Sequence, residues 1–294
     1  MENNPVIGRF APTPSGPLHF GSLVTAVASY CHAKSRQGQW LLRIEDVDTP
    51  RNVAGATDKI LFALEAFGFE WDGAVEYQSD QFDRYQQVLQ SLSDRQLCYA
   101  CECSRRSLRE AGCRQGPLGL IYPGFCREKC LPGKDHAIRI NSAGSGVVRY
   151  IDQVYGSVEF DIAKQSGDFK LRRSDGIFAY HLAVVVDDER QDINQIVRGA
   201  DLLEATCLHL YLQHLLGYRV PQYLHVPLVR NARGDKLSKQ TGAKAINCAD
   251  KNSLMKKALI TLGQRFDNTM LLAPCSEILD AAVKNWDHRH IAKD

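Results

Sequence analysis

No apolar run comes near the roughly 20 residues that a membrane-spanning helix requires; residues 183–186 are typical of the longest. The opening residues 1–6 are polar and carry no apolar stretch of the kind found in a secretory leader. Excess charge is nearly absent as well: 36 Lys and Arg stand against 34 Asp and Glu, a formal +2. That is too little to argue for nucleic acid by itself, so any case for RNA has to come from local features. Internal repeats and low-complexity tracts are missing too. These absences predict a cytoplasmic globular protein with no membrane association. With 294 residues, 44% hydrophobic and 24% charged, the chain can bury a proper core in one large or two modest domains.

Ten cysteines are present, but a long chain with no export signal does not need disulfides. Metal binding is the better question to ask of them. One stretch departs from the even charge balance: residues 101–139 hold eight Lys or Arg against four Asp or Glu. A solvated surface reads the same way.

Alternation of short apolar segments with helical periodicity gives the organisation. A strand over residues 6–11 runs into a loop with Pro12, Pro14, Gly16 and Pro17, then a helix over 21–35. A strand at 40–45 and helices at 54–67 and 81–95 follow. From 98 to 167 the pattern turns irregular, with cysteines, Pro-Gly turns and short strands near 137–140 and 147–151. It resumes around 178–186, with a helix at 202–216 and a strand at 223–229, and is mainly helical after 251. The predicted fold is therefore α/β: a Rossmann-type parallel sheet covered on both faces, with an insertion and a small helical C-terminal part. The expected divisions are 1–97 and 168–240 for the two halves of the sheet domain, 98–167 for the insertion and 241–294 for the helical region.

Two segments carry nucleotide chemistry. In Arg9-Phe10-Ala11-Pro12-Thr13-Pro14-Ser15-Gly16-Pro17-Leu18-His19-Phe20-Gly21-Ser22 the prolines stop the strand, and Gly16 permits a tight turn. His19 then falls at a helix start, where free amides and the helix dipole favour phosphate, and Gly21 leaves room for a nucleotide. The second segment, Lys236-Leu237-Ser238-Lys239-Gln240, places two lysines three residues apart on a loop. They can close over a triphosphate and offset charge growing on pyrophosphate. Alone, the first reads equally as a Pro-rich connector and the second as a charged turn; together, about 220 residues apart in one α/β domain, they point to ATP.

This pair resembles the two ATP-binding motifs of class I aminoacyl-tRNA synthetases, with Ser22 and Gln240 as departures at the last position of each. Arg9-Phe10-Ala11-Pro12-Thr13-Pro14-Ser15-Gly16, Arg43-Ile44-Glu45-Asp46, residues 180–188 (Tyr-His-Leu-Ala-Val-Val-Val-Asp-Asp) and Val197-Arg198-Gly199-Ala200-Asp201 are similar to glutamyl-tRNA synthetase. The resemblance spans residues 8–240 and implies that His19 and Lys239 are catalytic. It also implies that His19, Gly21, Ser22, Lys236, Ser238 and Lys239 bind ATP with Mg2+. Glutamate, with two carboxylates and one ammonium, needs cationic forks and an anion. Arg9 and Arg198 supply the former, Glu45 and the Tyr180 hydroxyl suit the ammonium, and the segment Phe10, Ala11, Pro12 and Thr13 belongs to the same implied site. Taken singly, Glu45 also reads as a solvated acid, Arg198 as a surface ion pair and Tyr180 as a core aromatic.

Cys101-Glu102-Cys103 and Tyr122-Pro123-Gly124-Phe125-Cys126 present two donor pairs that can close a tetrahedral zinc site. A Cys-x-Cys with Tyr-x-x-x-Cys is what short synthetases of the glutamyl type look like. The resemblance thus implies one structural Zn2+ on Cys101, Cys103, Tyr122 and Cys126. The gap of 18 residues between Cys103 and Tyr122 leaves open whether Cys113 or Cys130 takes the place of Tyr122; buried unliganded thiols are the plain alternative. Only 54 residues follow Gln240, so no anticodon-binding domain is expected. That length resembles the short paralogues that join glutamate to queuosine in the anticodon loop of tRNA(Asp). The implied activity is activation of L-glutamate by ATP without tRNA, then transfer to queuosine in tRNA(Asp), by a monomer. A truncated synthetase charging the 3′ end of tRNA(Glu), and a non-catalytic RNA-binding paralogue, are the competing readings.

Overall fold

The computed structural model describes residues 5–230 and 244–293. Strand β1 (Ile7–Phe10) ends where the proline loop begins, since proline has no N–H for a ladder. Gly16 takes φ +135° there, a conformation open to glycine. Helix α1 (Phe20–Lys34) starts at His19, whose side chain accepts the Ser22 N–H. Ten of its 15 residues are buried, because the sheet covers one side and the C-terminal helices cover the other. The chain continues through β2 (Gln39–Ile44), α2 (Ala56–Ala66), β3 (Glu76–Tyr77) and α3 (Phe82–Asp94). Next come β4 (Cys98–Cys101), α4 (Arg105–Glu110), β5 (Gln115–Gly116), β6 (Gly119–Leu120) and β7 (Ala137–Ile140). Then follow β8 (Val147–Asp152), β9 (Gly156–Asp161), α5 (Ile162–Gln165), β10 (Lys170–Arg172) and α6 (Tyr180–Arg190). The remainder is β11 (Gln195–Gly199), α7 (Leu203–Leu216), β12 (Gln222–Val226), α8 (Lys251–Thr261) and α9 (Cys275–Lys284).

Seven strands form the main sheet in the order β3-β2-β1-β11-β12-β8-β9. All neighbours are parallel except the β8–β9 hairpin. The expected α/β architecture with a mainly parallel sheet is thus present. The strand order reverses between β1 and β11, and ligands of such sheets bind in the crevice outside the strand ends at that point. One core packs Trp40, Leu42 and Phe69 with Leu259 and Leu279 of the C-terminal helices; the other packs Tyr85, Phe160, Val185 and Leu208. Among the described residues no helix is long and apolar enough to cross a membrane.

Two local features differ from the sequence pattern. Strand β11 has no counterpart in the periodicity reading because four of its five residues are buried, which removes the alternation that marks a half-exposed strand. The β8–β9 hairpin lies within the stretch read as an insertion, yet it extends the main sheet through the β12 partner pair Tyr223 and Asp152. A separate three-stranded antiparallel sheet, β10-β7-β4, supports the cysteine-bearing loops.

Candidate active site

At the end of β1 a cleft of about 440 Å³ is lined by Thr13, His19, Gly21, Ser22, Asp201 and Val229, among others. That size admits a nucleotide. The Nδ1 of His19 accepts the Ser22 N–H at 3.1 Å, so the neutral ring carries its hydrogen on Nε2, the form that donates to a phosphate oxygen. Phe10, Ala11 and Pro12 line the same cleft. The Phe10 ring itself lies in the core, stacked on Trp40 at 6.1 Å, so what it offers a ligand is backbone. Lys236, Ser238 and Lys239 lie outside the described residues. The chain on either side of them is at the cleft: Val229 lines it, and Ala245 bridges to His19.

The glutamate candidates converge from both halves of the sheet. Arg9 on β1 donates through Nε and Nη2 to Asp188 at 2.9 and 3.3 Å. Arg43 on β2 reaches the same carboxylate at 2.8 Å and Glu45 at 3.4 Å. Burial works against ionisation of Asp188, but the two guanidinium groups hold it below the usual carboxylate range. Glu45 is pushed upward, chiefly by burial, against the pull of Arg43 and Arg9; an arriving ammonium would favour its ionised form. Arg198 on β11 is 5% exposed. Its hydrogen-bond partners among the described residues are Tyr180, Thr206, His209 and His225, all uncharged at neutral pH. A second cleft, about 1,100 Å³, joins Thr13, Glu45 and Tyr180 to Cys103 and Arg139 of the cysteine-bearing region.

The four sulfur and oxygen donors also meet. The thiols of Cys101, Cys103 and Cys126 lie within 4.8 Å of one another, with Cys103 and Cys126 3.6 Å apart. Tetrahedral zinc with Zn–S bonds of about 2.3 Å would separate its sulfurs by about 3.8 Å. The Tyr122 hydroxyl is 3.3 Å from Cys101 and 3.7 Å from Cys103, and accepts the Cys126 N–H at 3.0 Å. Backbone close to the ring is fixed by Gly167: at φ +68° it lies so near Tyr122 that a Cβ would stand 2.0 Å from the Tyr122 carbonyl oxygen. Arg139 donates to Cys101 at 3.2 Å and covers the Tyr122 ring at 3.9 Å. Although burial opposes it, the hydrogen bond with Tyr122 and the charge of Arg139 bring the Cys101 thiol below its ordinary value. Cys113 and Cys130 are not part of this group; Cys130 is exposed. The three thiols could hold a metal ion, and the Tyr122 hydroxyl stands beside them.

The model of the class I tRNA synthetases (E and Q), catalytic domain, matches residues 5–271. The chain belongs to this family. It is 46% identical over 285 residues to the Glutamyl-Q tRNA(Asp) synthetase of Dechloromonas aromatica (strain RCB), covering 97% of this chain and 95% of that one. Against the Glutamyl-Q tRNA(Asp) synthetase of Pseudomonas syringae pv. syringae (strain B728a) the identity is 47% over 287 residues, with 98% and 95% covered. Among solved structures, a glutamate tRNA ligase from Elizabethkingia meningosepticum CCUG26117, in complex with its amino acid, superposes with TM-score 0.81 at 24% identity. That superposition covers 99% of this chain and 66% of the other, and it supports the class I synthetase fold.

Within this synthetase fold, sequence reasoning missed the residues that hold the site together: Asp188, Arg43, His209, His225, Thr206 and Arg139. The motifs contained Arg43 and Asp188, but pairing across 145 residues leaves no local signal. Asp168, fully buried, is another such anchor. It accepts from Arg127 at 2.7 Å, from Ser142 and from Tyr99, and so ties the cysteine-bearing loop to the three-stranded sheet. Burial opposes its charge, yet Arg127, Tyr99 and Ser142 hold its carboxyl below the usual range. Asp168→Asn should therefore cost about 2 kcal/mol of stability at pH 7. A depressed folded value means this contribution is present above the unfolded value of about 3.9 and fades as pH falls through the folded one. Urea unfolding of both proteins at pH 7 and pH 3 checks this: the gap should shrink at pH 3, and a constant gap contradicts it.

Proposed function

We propose that this ligase activates L-glutamate with ATP in the absence of tRNA and transfers the glutamyl group to queuosine in tRNA(Asp). The observation that carries the amino-acid assignment is Arg198, a buried guanidinium whose described partners are uncharged and which adjoins Tyr180. Such a group is suited to the side-chain carboxylate of glutamate. Arg9 supplies the second guanidinium, and Glu45 with the Tyr180 hydroxyl takes the ammonium. In the first step an α-carboxylate oxygen attacks the α-phosphorus, the bond to the bridging oxygen breaks, and pyrophosphate leaves with that electron pair. His19 through Nε2–H, the helix amide at Gly21, and Lys236, Ser238 and Lys239 would stabilise the phosphates, and Mg2+ bound with ATP would neutralise further charge.

The relatives named for tRNA(Asp), matched over 95% of their length, support the acceptor. Queuosine carries a cyclopentene diol. One of its hydroxyl oxygens would attack the glutamyl carbonyl, and AMP leaves. The larger cleft, with Arg51, Arg105, Arg109 and Arg173 on its walls, offers phosphate contacts that position an anticodon loop. One Zn2+ on Cys101, Cys103, Tyr122 and Cys126 is structural, since four protein ligands leave no open position. A monomer working in the cytoplasm, where tRNA is found, suits this role. Pyrophosphate exchange tests the first step. The expected result is exchange dependent on glutamate and independent of tRNA; exchange that requires tRNA, or ignores glutamate, contradicts it.

A further inference from the structure

Arg198 is held between two histidines, and the geometry fixes which nitrogen of each ring carries the hydrogen. A guanidinium has donors and no acceptor. Its Nη2 lies 3.1 Å from His209 Nδ1 and its Nε 3.3 Å from His225 Nε2. Both ring nitrogens must therefore present lone pairs, and each ring carries its hydrogen on the other nitrogen. His209 Nε2–H then donates to His181 Nδ1 at 3.1 Å. His225 Nδ1–H donates to Asp152 Oδ2 at 2.7 Å. Asp152 is itself fixed, accepting the backbone N–H groups of Val154, Tyr155 and His225 at 2.9, 2.9 and 3.1 Å. Thr206 obeys the same direction, accepting from Arg198 at 2.7 Å and donating to the Leu202 carbonyl at 2.9 Å. The line Asp152, His225, Arg198, His209, His181 crosses five elements, β8, β12, β11, α7 and α6.

This grip differs in kind from the one on Arg9. Asp188 holds Arg9 with a carboxylate, shared with Arg43, so a counter-charge sits against the cation it positions. The histidines supply acceptors of fixed direction and no counter-charge, so Arg198 keeps its attraction for an incoming anion. We propose that His209 and His225 are positioning residues that aim the Arg198 guanidinium at the side-chain carboxylate of glutamate without neutralising it, with Asp152 setting the His225 tautomer. Burial supports this by driving His209 well below its ordinary range and His181 to about 4.

The inference rests on the glutamate-activation reading, and an isosteric pair of variants separates the two. In His209→Asn the side-chain oxygen can replace Nδ1 as a neutral acceptor. In His209→Asp the same shape brings a carboxylate beside Arg198, which competes with the substrate. Glutamate-dependent pyrophosphate exchange should give a glutamate KM for the Asp variant about tenfold or more above that of the Asn variant. The ATP KM should agree between the two within about twofold, as expected for a role confined to amino-acid binding. The same glutamate KM for both variants overturns the inference alone. If the unmutated chain shows no glutamate-dependent exchange, the activation reading falls and takes this inference with it.

Discussion

Lys239→Ala should lower glutamate-dependent pyrophosphate exchange by about a hundredfold or more, the cost of losing one donor aimed at charge that develops in the transition state. Pyrophosphate gains charge as the α-phosphorus bond to it breaks, and a lysine ammonium offsets that charge. Lys239 lies outside the described residues, so its assignment rests on the Lys236-Leu237-Ser238-Lys239-Gln240 sequence. The flanking chain is consistent with it, since Val229 lines the nucleotide cleft and Ile246 donates to the Leu18 carbonyl at 3.0 Å. The effect should appear in kcat, with the glutamate KM changed little, because ground-state binding of the amino acid involves other groups. Exchange near the unmutated rate would remove Lys239 from the chemistry.

Cys101→Ser should strip the metal and loosen the insertion together. Structural zinc binding amounts to roughly 10–16 kcal/mol over four ligands, so one thiolate accounts for about 2.5–4 kcal/mol, or up to about a thousandfold in affinity. Cys101 is also the thiol that Arg139 and Tyr122 contact, so its loss disturbs charge balance as well as coordination. Elemental analysis of the unmutated protein should give one zinc per chain, falling towards none in the variant, with a lower unfolding temperature. Cys113→Ser should keep its zinc, because the Cys113 thiol is not among the three that converge within 4.8 Å. Zinc absent from the unmutated protein, or retained in full by Cys101→Ser, contradicts the site.

The parts legible in the sequence share a physical origin. Prolines ending β1, a histidine at a helix start and paired thiols separated by one residue are local signals, and a local signal survives without a structure. Strand alternation with helices gave the α/β class for the same reason. Strand β11 was not legible, since burial on both faces erased its period, although Arg198 within it belonged to a recognised motif. The Val184-Val185-Val186 run has strand propensity, yet it lies in α6, where packing against the second core decides. The partners of the site residues were the least visible. Asp188 lies 179 residues from Arg9 in sequence, and His225 27 residues from Arg198. Such pairings depend on which strands become neighbours, and no window of sequence contains that information.

The acceptor is the central claim, and one comparison tests it most directly. Labelled glutamate and ATP are given with tRNA(Asp) that carries queuosine and with the same tRNA carrying guanosine at that position. The two acceptors differ in the cyclopentene diol, the group proposed to attack glutamyl-adenylate, while both retain a 3′ terminal ribose. Stable labelling of the queuosine-bearing tRNA alone, located in the anticodon loop, is the predicted result. Equal labelling of the two, located at the 3′ end, would contradict the account.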